Sequence, residues 1–131
     1  MKNLKEMYQD ADWKSEKHVP VISAPMKVKK GAEVMVTITV GAEIPHPNTT
    51  EHHIKYLNAF FMAEDDKYPH DLGRFELNAH GASVRGPNTS AILTQPNVSF
   101  TFKTEKGGTL MACSFCNIHG LWESSVELAV E

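Results

Sequence analysis

Between Glu33 and Val40 the chain alternates. Val34, Val36, Ile38 and Val40 are apolar, and Met35, Thr37 and Thr39 fall between them, the period-two signature of a half-buried strand. The same alternation recurs in residues 54–62, 74–79, 90–94, 98–104, 109–115 and 125–130, each segment bounded by Gly, Pro or Asn clusters. Near the N-terminus the period is helical instead. Leu4, Met7, Tyr8 and Ala11 follow the i, i+3, i+4, i+7 spacing, and Asn3 with Glu6 resembles a capping box, which predicts a short helix. No helical segments separate the strands, so nothing is available to carry parallel crossovers. The expected architecture is all-β: an immunoglobulin-like seven-stranded antiparallel β-sandwich with a short N-terminal helix, a small barrel being the alternative.

Composition narrows the picture. A chain of 131 residues that is 41% hydrophobic and 22% charged reads as a single globular domain, 1–131, able to bury a core without disulfide staples. A formal net charge of −3 offers no basic field for a phosphate backbone, so no nucleic-acid partner is expected. The N-terminal stretch mixes charges and no apolar run is long enough to span a bilayer, so no membrane association is expected. Only two cysteines are present, Cys113 and Cys116, which fits a reducing, cytoplasmic setting better than a secreted disulfide scaffold.

What remains to be explained is a set of seven histidines. Cys113-Ser-Phe-Cys116-Asn-Ile-His119 places two thiols and an imidazole at a strand end. It lacks the histidine directly after the second cysteine that haem attachment needs, and the βαβ context of a thioredoxin-type pair. Strand alternation sets Cys113 beside Met111 and Phe115, and Cys116 on the other face with Ala112 and Ser114. One metal is therefore expected to take Cys116, with Asn117 and Gly120 turning the chain so that His119 faces the same way. Cys113 reads as a small buried hydrophobe.

In residues 44–53, Pro45 and Pro47 stiffen the backbone around His46. His52 shares parity with Ile54, Tyr56, Phe60 and Met62, the more apolar side, and is chosen as the donor. His53 is read as outward or supporting, and the opposite assignment of the two stays open. Glu16-Lys17-His18 alone reads as a solvated edge, His70 as solvated, His80 as a hydrogen-bonding turn residue, and Trp13 and Trp122 as core or interface aromatics. Together, His18, His46, His52 and His119 supply four nitrogen donors and Cys116 a thiolate. That exceeds the four ligands of zinc and matches an iron site of higher coordination with one position free, which favours redox chemistry over hydrolysis.

These segments carry a resemblance. EKHVP at 16–20, IPHPNTTEHHI at 44–54, AHGASVRGPNTS at 79–90 and CNIHGLWE at 116–123 are similar, in order and spacing, to the one-iron, neelaredoxin-type superoxide reductases. The resemblance implies a mononuclear non-haem Fe2+/Fe3+ centre with His18, His46, His52 and His119 in its equatorial plane and Cys116 as axial ligand. It further implies that Glu16 takes the sixth position in the oxidised state and that Lys17 stands near the open face. By the same resemblance, the substrate is superoxide, the product hydrogen peroxide, the electron donor rubredoxin-like, and the assembly a homotetramer. The competing readings are superoxide dismutation at the same iron, separable by oxygen yield, and a non-catalytic metal-binding β-sandwich. A cupin-like metal enzyme wants two histidines separated by one residue, whereas His46 is followed by Pro47 and Asn48.

Overall fold

The computed structural model describes residues 1–131. It is a β-sandwich preceded by one helical turn, α1 (Leu4–Met7). The strands are β1 (Pro20–Ser23), β2 (Lys27–Val28), β3 (Glu33–Val40), β4 (Ile54–Ala63), β5 (His70–Glu76), β6 (Asn97–Lys103), β7 (Gly108–Cys116) and β8 (Gly120–Val130). One sheet has the order β1-β3-β6 and the other β2-β8-β7-β4-β5. All pairings are antiparallel except β2 with β8, which is parallel.

The expected sandwich is present, with eight strands where the alternation predicts seven. The pattern misses β1 and β2, which are too short to show a period. The predicted strand at 90–94 is not one. There Ile92 is 70% exposed, and the segment instead makes a single bridge, Leu93 to His80, with Thr94 bonded to Ala79. β8 starts five residues earlier than the predicted 125, at Gly120. The predicted 74–79 strand is realised as His70–Glu76, displaced toward the N-terminus.

The helical stripe also stops short. Asn3 caps α1 by accepting from the Glu6 amide at 3.1 Å, but α1 buries nothing, and Tyr8 is already extended. Pairing to the sheet overrides helix continuation. The Gln9 amide donates to the Leu121 carbonyl at 3.0 Å, and the Glu123 amide to the Gln9 carbonyl at 2.9 Å.

The core lies between the sheets. From β3 come Val34, Val36, Ile38 and Val40, all buried as the alternation predicts, and Leu57, Ala59, Phe61, Leu110, Ala112 and Leu128 face them. In β4 the inward parity changes partway. Against β7, Ile54 pairs with Cys116 but Tyr56 pairs with Phe115, so one extra residue, Lys55, is accommodated by a bulge. Beyond it the inward residues are the odd-numbered ones, and Tyr56, Phe60 and Met62 are only half-buried. The bulge thus separates the regular strand from the end of β4 that leads into the histidine loop.

Leu110 is 1% exposed at the centre of this core. Leu110→Ala is expected to lower stability by about 2–5 kcal/mol in urea titrations. Met35→Ala, on the outer face of β3 and 55% exposed, is expected to change it by no more than about 0.5 kcal/mol.

Candidate metal centre

Four imidazoles meet at one end of the sandwich. His18 comes from the segment entering β1, His46 and His52 from the loop between β3 and β4, and His119 from the turn between β7 and β8. Their ring centroids form a closed square: 4.8 Å from His18 to His46, 4.8 Å to His52, 5.0 Å to His119, and 4.8 Å back to His18. The diagonal between His18 and His52 is 6.4 Å. Beside them lies the Cys116 thiol, fully buried. Donor atoms of His18, His52, Cys116 and His119 all fall within 4.8 Å of one another.

Each ring has a reason for its orientation. The His18 Nδ1–H donates to both Glu16 carboxylate oxygens at 3.0 Å, which leaves Nε2 to face the square, 3.1 Å from His119 Nδ1. The His46 Nδ1–H donates to the Pro47 carbonyl at 2.6 Å, again freeing Nε2. His119 turns Nδ1 inward, 3.8 Å from Cys116 Sγ, while its backbone amide donates to that sulfur at 3.3 Å. The Nε2 atoms of His46 and His52 are buried with no hydrogen-bond partner. An unpartnered buried ring nitrogen is costly, and two on neighbouring rings of one imidazole cluster fit a metal ion as the missing partner.

The electrostatics suit that role. Burial lowers His46 to about 4, opposed by its bond to Pro47 and reinforced by the His18, His52 and Lys17 charges. His52 is lowered by burial and then by His119, His18, Lys17 and His53. Both rings are therefore neutral at pH 7, with lone pairs available. Burial works to raise the Glu16 carboxyl, but the His18 hydrogen bonds and the His18 and Lys17 charges hold it below its ordinary value.

The loop geometry is set by residues outside the square. Asn117 is the main clamp. Its side chain accepts from the His53 amide at 2.8 Å and donates to the Glu51 carbonyl at 2.8 Å, joining the Cys116–His119 turn to the His52 loop. Thr49 closes the turn that presents His52, accepting from the His52 amide at 3.0 Å. Gly41 has φ +81°, and a Cβ there would lie 2.7 Å from the His46 amide nitrogen, so only glycine admits the His46 backbone so closely. Gly120, at φ +82°, ends the Cys116–His119 turn.

The 79–90 segment supports the same loop from behind. Asn88 accepts from the Thr50 amide at 2.8 Å and donates to both Glu51 oxygens, and His80 Nδ1 meets Asn48 Oδ1 at 2.9 Å. His80 is thus hydrogen-bonded, as expected, and His53 stacks on it with centroids 3.6 Å apart. His53 points away from the square, Nδ1 donating to the Thr49 carbonyl at 2.9 Å.

His52, the residue singled out from the sequence, is inside the square, although the parity argument works only as far as Ile54, because the bulge inverts the faces beyond it. Glu16 lies on the outer edge of His18, so its carboxylate is away from the ring nitrogens that converge. Lys17 is half-buried. Cys113 sits on the opposite face of β7, free and buried, where burial pushes its thiol up against the opposing hydrogen bond from Tyr8. His70 is exposed on β5, 3.8 Å from Asp66. The clamps of Asn117 and Gly41 went unread in the sequence, because a turn asparagine or a glycine after a strand signals a change of direction and not what it grips.

The desulfoferrodoxin family profile matches residues 10–125. The chain belongs to the desulfoferrodoxin family. It is 51% identical to the superoxide reductase of Pyrococcus furiosus, covering 95% of this chain and 98% of that one. It is 48% identical to neelaredoxin of Megalodesulfovibrio gigas, covering 96% of this chain and 97% of that protein. Among solved structures, the reduced form of superoxide reductase (neelaredoxin) from Archaeoglobus fulgidus superimposes with a TM-score of 0.88 at 54% identity, covering 94% of this chain and 98% of that one.

Asn117→Ala removes the bridge between the His52 loop and the Cys116–His119 turn. It is expected to weaken iron binding roughly 10–100-fold in chelator competition, with a much smaller effect on the melting temperature of the metal-free protein.

Proposed function

We propose that this protein is a superoxide reductase, taking superoxide, one electron and two protons to hydrogen peroxide at a mononuclear non-haem iron. The observation that carries the reading is the square of four imidazoles beside one buried thiol, with two ring nitrogens left without partners. Four nitrogens and one sulfur fit a single iron better than zinc, which is satisfied by four ligands. His18, His46 and His52 through Nε2, His119 through Nδ1 and Cys116 through Sγ would hold it. Bound there, the iron supplies the electron and a coordination position for the anion, cycling between Fe2+ and Fe3+ with the thiolate raising its electron density.

The chain's own residues do the rest. Cys116, fully buried and receiving the His119 amide, keeps its sulfur away from solvent and oxidant. His119 is exposed, so solvent and substrate approach from the imidazole side and not through the core. Lys17 places a positive charge within reach of His46 and His52 in a chain of net charge −3, a local attraction for an anion arriving at the square. The Lys17 Nζ, refilled from solvent, is a proton donor for the peroxide product. Glu16 holds the His18 tautomer through Nδ1; to serve as sixth ligand in the oxidised state it must leave that ring edge.

The same reading assigns the whole chain to one catalytic domain, the re-reducing electron to a small carrier such as rubredoxin, and the assembly to a homotetramer. The exposed His119 edge beside Ile118, 58% exposed, is suited to receive the carrier. No helix is long and apolar enough to cross a membrane. The cytoplasm, which keeps the thiol reduced, is the compartment that suits this site.

Under a steady superoxide flux with excess reductant, the enzyme is expected to form one hydrogen peroxide per superoxide and release no oxygen. Oxygen at half the superoxide consumed would identify a dismutase instead. Lys17→Ala is expected to lower the second-order rate constant about 10-fold at low salt and to flatten its dependence on ionic strength, as measured by pulse radiolysis.

A further inference from the structure

We propose that Trp122 is a positioning residue of this centre, fixing the plane of the His18 ring by stacking on it and the reach of His119 by hydrogen-bonding its carbonyl. The indole lies nearly parallel to His18, with centroids 4.8 Å apart and planes 12° apart. The neighbouring imidazoles meet His18 at 75° for His46 and 69° for His119, so the indole provides its flat support. The Trp122 Nε1–H donates to the His119 carbonyl at 3.3 Å, where Gln9 Nε2 also donates at 2.9 Å. The side chain is buried, with the residue 9% exposed.

The need for such a contact follows from what the other partners leave free. Glu16 sets the His18 tautomer, but its two oxygens lie at the same 3.0 Å from Nδ1 and accept over a range of ring tilts. A flat aromatic face removes that tilt. His119 is the exposed corner of the square, and two donors converge on its carbonyl oxygen.

The position of Trp122 in the sheet links these effects to the thiol. On β8 it pairs directly with Ser114 of β7, whose hydroxyl donates to the His18 carbonyl at 2.9 Å, and Ser114 is two residues before Cys116. One cross-strand pair therefore supports His18 through its ring and its backbone, and stands next to the residues supplying the sulfur and the His119 nitrogen. Ring orientation matters to a metal because the nitrogen lone pair lies in the ring plane, so tilt misdirects it.

The proposal rests on the five donors holding iron, and its test has one part that needs no iron. In the metal-free protein the indole is expected to shift the His18 Cε1–H resonance upfield. Trp122→Phe should keep most of that shift and Trp122→Leu should abolish it; a resonance unaffected by either substitution would overturn the proposal, whether or not the chain takes up iron.

In the iron-loaded protein, Trp122→Phe keeps a flat face and loses the Nε1–H, whereas Trp122→Leu loses both. Trp122→Leu is expected to weaken iron binding roughly 10-fold or more in chelator competition and to change the ferric EPR signal and the thiolate-to-iron absorption band. Trp122→Phe should restore most of the spectral change and most of the affinity, the remaining difference from wild type being what the lost Nε1–H contributes through His119. Loss of affinity only in step with the melting temperature of the metal-free variant, with both spectra unchanged, would overturn the proposal. Equal spectral damage from both substitutions would overturn the assignment of the ring plane to stacking.

Discussion

Nε2 of His46 and Nε2 of His52 lie buried and unpartnered on neighbouring rings of the same square of imidazoles, and the surrounding structure keeps them there. Leaving such atoms unpaired costs about 1–3 kcal/mol each, so an unrestrained loop would turn both rings toward water. It is restrained on every side. Gly41 brings the His46 backbone in close, Thr49 closes the turn behind His52, and Asn117 ties that turn to the Cys116–His119 segment. Asn88 and His80 hold the loop from the outside. The sandwich contributes the frame, because β4, β7 and β8 are adjacent strands whose ends at Ile54, Cys116 and Gly120 fall in one place.

Burial shapes the chemistry in two ways. It keeps His46 and His52 neutral, with His46 lowered to about 4, so their lone pairs are available to a cation at physiological pH. It also sets the Cys116 thiol on the core side and the exposed His119 on the solvent side, which keeps the sulfur away from whatever reaches the square from solvent. With an overall charge of −3, attraction of a small anion has to be local, and in the proposed function Lys17, whose charge acts on His46 and His52, supplies it.

Much of this was legible in the sequence. The β3 alternation gave its inward residues directly, and Cys116, His119, the proline-flanked His46 and His52, which the structure brings together, could be singled out from spacing and parity, whereas His18, buried at the same place, reads on its own as part of a solvated edge. The parts that were not legible depend on contacts distant in the chain. Tyr8 and Gln9 leave the helical pattern because the N-terminal segment pairs with β8 and covers Cys113, which no local period records. The β4 bulge inverts the inward face, so a strict period-two reading assigns Tyr56, Phe60 and Met62 to the wrong side. Segment 90–94 alternates like a strand but is used as a brace for Ala79 and His80.

The most direct test of the central claim is the iron content of the purified, iron-reconstituted chain, taken with its oxidised-minus-reduced visible spectrum, in the wild type and in Cys116→Ala. The account predicts one iron per chain in the wild type, with a thiolate-to-ferric absorption band that the substitution abolishes. A wild-type chain that takes up no iron, or one whose band survives without Cys116, would contradict it.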